Sequence, residues 1–220
     1  MLRMRFSKEG NAVWISHLDL MRLLMRAFRR AGIALKHSQG FTPHPELSLA
    51  MPLSVGISSA CEIADFSLAE GETVPPEQIP DRLNAVLPEG VRVSDCYDDG
   101  QKLKYLAWLE AELTLIWDGG VPENAETAIA DLLASERLLV EKHSKNGPVE
   151  TDIRPMYRDV SLTRTAGTEL CLRATCAAQN PTLNPMLIDA AIRRHLPALA
   201  PEFTRCRRLR LLNAGNEPFR

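Results

Sequence analysis

No CxxC spacing occurs among the five cysteines, Cys61, Cys96, Cys171, Cys176 and Cys206. An odd number, widely spaced, in a chain of 220 residues excludes a disulfide-stapled miniature scaffold and reads as reduced thiols of a cytoplasmic protein. No uninterrupted apolar run approaches the roughly 20 residues that cross a bilayer, and the opening MLRMRFSKEG carries no apolar signal core, so neither membrane insertion nor secretion is expected. The Walker loop, the dinucleotide GxGxxG, CxxxCxxC, HExxH and GxSxG are all absent. The reading therefore leans away from an enzyme and expects no cofactor and no metal. A site built from His17, His37, His44 and Cys61 is chemically conceivable, but no pair has the short spacing of a metal finger.

Charge of one sign is also missing overall: the formal net charge is -2 and the pI about 6.2. A surface that is basic throughout is thereby excluded, while local patches are not. The first forty residues are rich in Arg and Lys, the middle (SDCYDD, VPENAE) is acidic, and the last twenty residues are basic again. The hydrophobic fraction of 45% and charged fraction of 25% are those of an ordinary folded chain.

Alternation in LRMRF predicts a strand, and AVWI a short second one. Ser16 then caps a helix running to Gly32, with Asp19 at its third position as a variant capping box. Strands follow at 47–51 and 62–68, a proline-started helix within 75–90, and a strand from Val91. The order β, α, β, β, α, β is that of a split βαβ unit. The second half repeats it with strands at 109–117, 138–144, 150–157, 169–176 and 204–212 and helices at 124–135 and 184–196, one strand too many. The expectation is an α+β chain of two ferredoxin-like (βαββαβ) domains, 1–100 and 101–220, antiparallel sheets with helices on one face.

On a helical wheel Asp19, Arg22, Arg26, Arg29 and Arg30 fall within an arc of roughly 100°, opposite Met21, Leu24, Met25, Ala27, Phe28 and Ala31. Charged stripes are most often solvated faces. Here every cation is arginine, and the glutamates that usually interleave are missing. The loop that follows, SQGFTPHP, is stiffened by Pro43 and Pro45 and reversed at Gly40. It presents Ser38, Phe41, Thr42 and His44 beside the stripe, a pairing of aromatic and arginine suited to single-stranded bases. Arg22, Arg26, Arg29 and Arg30 would neutralise phosphates, Phe41 would stack, and Ser38, Gly40 and His44 would add hydrogen bonds. Arg205, Arg207, Arg208 and Arg210 of the last strand would extend the track. A plain turn with Phe41 as a plug is the structural alternative. His17, Asp19 and His44 are the candidates for acid–base chemistry.

The string from FSKEGNAVWISHLDLMR through SQGFTPHP to PLSVG resembles the radical SAM-linked protein family, also called DUF2344. The second half is similar more loosely, through KHSKNGPVETDIRPMY and NPTLNPMLIDAAI. The resemblance implies a radical SAM protein as partner. It also implies work on RNA, ribosomal or transfer RNA included, in association with ribosomes, in RNA modification or maturation, and assigns no reaction. The expected function is an RNA-binding accessory protein for that partner. The alternatives are an RNA-modifying or RNA-processing enzyme using His and Asp, and a module that docks the partner protein alone.

Overall fold

The structure, a computed structural model, describes residues 1–144 and 147–220; Lys145 and Asn146, within the KHSKNGPVETDIRPMY segment, lie outside the described residues. The fold is mixed α+β, with mostly antiparallel sheet and four α-helices among the described residues. Two compact units are present: Met1–Tyr105 together with Arg220, and Leu106–Phe219.

In the first unit β1 (Leu2–Lys8), β2 (Leu47–Leu49), β3 (Ile57–Phe66) and β4 (Val91–Tyr97) form antiparallel pairs in the order β4-β1-β3-β2. Helices α1 (His17–Arg30) and α2 (Ile79–Asn84) share one core with the strands. Met4 and Phe6 of β1, Leu24 and Phe28 of α1, Phe66 of β3 and Leu83 of α2 are all buried in it. Phe28 and Phe66 meet with ring centroids 4.7 Å apart at a tilt of 55°, a geometry that aromatic quadrupoles favour. AVWI is no strand. Gly10–Trp14 is a 3-10 turn, closed by bonds from the Ala12 amide to the Glu9 carbonyl and from the Ile15 amide to the Ala12 carbonyl. A four-residue apolar run does not by itself distinguish the two.

The second unit contains β5 (Leu106–Ile116), α3 (Ala125–Ala134), β6 (Leu139–Ser144), β7 (Gly147–Asp152), β8 (Tyr157–Ala166), β9 (Glu169–Ala177), α4 (Met186–His195) and β10 (Phe203–Asn213). Its sheet runs β10-β5-β9-β8, and among the described residues β6 and β7 pair only with each other. With that hairpin set aside, both units order their strands as last, first, third, second. Alternate residues of β5, Leu109, Ala111, Leu113 and Leu115, are buried, the period-two signature of a sheet with one covered face. The expected strand at 150–157 is divided: β7 ends at Asp152, Arg154–Met156 form a 3-10 turn, and β8 begins at Tyr157. β8 itself escaped the pattern because its pairing with β9 shifts between Arg158 and Ser161, where Asp159 has φ 52°. That bulge breaks the alternation on which strand recognition depends.

Candidate nucleic-acid interface

Helix α1 is fixed at both ends. Ser16 Oγ accepts the Asp19 amide at 3.2 Å, the N-cap half of a capping box, and the same hydroxyl donates to Asp19 Oδ2 at 2.7 Å. At the other end the amide of Gly32 bonds to the Arg29 carbonyl at 3.2 Å and that of Ile33 to the Phe28 carbonyl at 3.0 Å. This is a Schellman motif, and Gly32 at φ 67° supplies the left-handed residue it needs. The helix ends at Arg30 with Ala31 as cap, slightly before Gly32.

With the axis fixed, the wheel is realised. Leu20, Leu24, Ala27 and Phe28 are buried, and Arg22, Arg26, Arg29 and Arg30 are exposed. Asp19 and Arg22 pair at 3.0 Å. The Ser16 hydroxyl, and after it Arg22, hold the Asp19 carboxyl below the usual carboxylate range. Among the described residues no carboxylate lies within ion-pair distance of Arg26, Arg29 or Arg30. Arg29 and Arg30 also occupy the last turn, where the negative end of the helix dipole favours cations.

Two hollows flank the stripe. One, about 670 Å³, lies between the end of α1 and the segment that follows, with Arg26, Arg29 and His37 among its lining. The other, about 430 Å³, has Arg26, Arg30 and Leu23 facing Val86 and Pro88. Arg26 borders both. Sequence reasoning placed the arginines but not the hollows. The alternation of Ile33 and Leu35, both buried, is the local signal that this segment packs back along the helix.

The loop closes on itself. His37 and Pro45 form an antiparallel bridge, and the Ser38 amide bonds to the His44 carbonyl at 2.9 Å. The Ser38 hydroxyl accepts the His44 amide at 3.2 Å and lies 2.9 Å from His44 Nδ1. Ser38 and His44 thus clasp the loop's base, a structural duty that the spacing alone did not disclose. Gly40 has φ 156° with open space around it, and Phe41 is fully exposed.

The acid–base candidates are not joined: no hydrogen bond among the described residues links His17, Asp19 and His44. His17 is half-buried, with its Nδ1 buried and unpartnered. Among the described residues no group of three His, Cys, Asp or Glu is placed to hold a metal. Along β10, Arg205 pairs with Glu169 at 2.8 Å, Arg210 forks onto Glu110 at 2.6 and 2.7 Å, and Arg208 is buried. Arg207 is exposed, in register with Glu112. No helix of the described residues is long and apolar enough to cross a membrane.

The family model described as "Uncharacterized protein conserved in bacteria (DUF2344)" matches residues 1–185. No curated protein matches. Among solved structures, a chain of "Crystal Structure of a Cbf5-Nop10-Gar1 Complex" is similar with a TM-score of 0.53 at 10% identity, over 96% of this chain and 48% of that one. A chain of "Crystal structure of the archaeal box H/ACA sRNP Nop10-Cbf5 complex" gives a TM-score of 0.45 at 12% identity, over 94% and 46%. This chain spans about half the length of each, and the first likeness is one of fold.

Proposed function

The chain belongs to the DUF2344 family, and we propose that it is an RNA-binding protein whose contact surface is the exposed face of α1 and the Phe41 loop. One observation carries the reading: Arg26, Arg29 and Arg30 stand on one helix face with no carboxylate within ion-pair distance among the described residues. A solvated face would ordinarily interleave acids with its arginines. Leaving them unpaired costs self-repulsion, which a polyanion relieves while releasing its own counterions. Phe41, on a loop stiffened by two prolines and clasped by Ser38 and His44, offers a ring on which a base can stack. Arg22, tied to Asp19, serves mainly to position, and Arg207 lies at the margin of this reading.

The finer statements are proposals of the same kind. The strand order common to both units supports reading each as ferredoxin-like, with the division near residues 100–105. Presentation of RNA to a radical SAM partner rests on the sequence resemblance.

The test is a salt titration of binding to single-stranded and ribosomal RNA fragments, beside an Arg26→Ala/Arg29→Ala variant. Losing two phosphate contacts should make the log–log salt slope shallower by about 1.4. RNA binding that ignores salt, or a variant indistinguishable from the parent, sinks the proposal. No RNA binding, with capture of the radical SAM protein through the same arginines, would favour the docking module.

A further inference from the structure

Resting on that reading, we infer that the larger hollow beside α1 receives a single unpaired base of the bound RNA, with its phosphate held by Arg26 and Arg29. The volume of about 670 Å³ lies within the ~300–1,000 Å³ of ordinary ligand pockets. Met25, Phe28, Ile33 and Pro45 give it an apolar floor, which suits the face of a base, while the cationic edge suits the phosphate attached to it. That combination of flat apolar face and adjacent anion is the chemistry of a nucleotide; a peptide side chain or a lipid tail would leave the arginines unmatched.

Two further features favour this hollow over its smaller neighbour. The carbonyls just past the end of the helix, which would repel an anion, are occupied: Arg82 Nη2 donates to that of the cap, Ala31, at 3.0 Å and to that of Gly32 at 3.4 Å. His37, on the edge, has Nδ1 3.1 Å from the Leu35 carbonyl. A carbonyl only accepts, so Nδ1 carries the proton and Nε2 of the neutral ring is an acceptor. The smaller hollow offers no polar side chain besides its arginines. Duplex RNA, with its bases stacked and paired, cannot enter either.

Ala34 lines the larger hollow, is exposed, and uses only its backbone in bonding to Glu72 and Ala69. Ala34→Trp should therefore plug the hollow and leave every arginine in place; Ala34→Leu is a smaller plug. Fluorescence anisotropy would compare a ten-nucleotide single strand with a blunt-ended duplex, which has no unpaired base. We expect Ala34→Trp to weaken single-strand binding about tenfold, Ala34→Leu to weaken it less, and both to keep the parent's duplex affinity, salt slope and melting temperature. Unchanged single-strand affinity, or an equal loss for both RNAs, overturns the inference while RNA binding by the parent keeps the broader reading intact. A parent that binds neither RNA overturns both.

Discussion

Arg3 and Asp65 face each other across β1 and β3 as a buried fork: Nε reaches Oδ1 at 2.6 Å and Nη2 reaches Oδ2 at 2.9 Å. The remaining nitrogen, Nη1, donates to the carbonyls of Gln101 at 2.6 Å and Arg220 at 2.9 Å. Asp65→Ala would leave a buried guanidinium without its counter-charge, a loss of about 3–5 kcal/mol. Replacing both, as Arg3→Met with Asp65→Leu, should recover much of that. Urea unfolding of the two variants checks it; equal destabilisation would show that the carbonyl bonds, not the carboxylate, dominate.

Gly90 sits at φ 85°, and a Cβ there would lie 2.4 Å from the Glu9 carbonyl oxygen and 2.9 Å from the Ala12 Cβ. Its own carbonyl accepts the Glu9 amide at 2.7 Å. Gly90→Ala is expected to cost more than the ~1 kcal/mol of a conformational penalty alone, because backbone must move. A melting temperature within a degree of the parent's would refute this.

Burial pushes the thiols of Cys96, Cys176 and Cys206 up to about 12, and the phenol of Tyr157 likewise. All four should be neutral at pH 7, and the three thiols inert to iodoacetamide in the native protein. The folded state binds these protons more tightly than the unfolded one. Stability is therefore full below the ordinary values of these groups and falls as the pH rises from there towards 12. Urea midpoints between pH 8 and 11 should decline; a flat profile would contradict the burial.

Phe41 touches solvent on all sides, so Phe41→Ala should leave the melting temperature unchanged. Its effect should appear in binding alone, as a loss of about 1–3 kcal/mol for single-stranded RNA. A shift in stability would mean that the ring packs in solution.

His37 offers an acceptor nitrogen, which can take either the amino group of cytosine or the N3–H of uracil. His37→Ala should therefore weaken oligocytidine and oligouridine binding alike, by a few-fold, with the melting temperature unchanged. Affinities equal to the parent's would remove His37 from recognition.

Much of the first unit was legible in its periodicities. The wheel of α1 separates core from cation in the sequence itself, because a long amphipathic helix states its faces repeatedly. The Gly32 terminus and Ser16 cap likewise depend on local chemistry. What stayed hidden was non-local: the Ser38–His44 clasp joins residues across a loop, and the hollow beside Arg29 exists only once Ile33 and Leu35 fold back. The bulge at Asp159 hides β8, and β10 reads as a basic track because the acids that pair with its arginines, Glu110 and Glu169, lie far from them in sequence.

Those arginines carry one more consequence. Arg173 and Arg210 each hold a carboxylate of the adjoining strand β5, and Arg205 holds one of β9 across β5, so their counterions are tethered by the chain. A mobile cation shed from RNA gains entropy by diffusing away, but a tethered carboxylate displaced by a phosphate goes nowhere and loses its bond. The salt dependence of RNA binding should therefore count Arg26, Arg29 and Arg30 of α1 and pass over the paired arginines of the second unit's sheet.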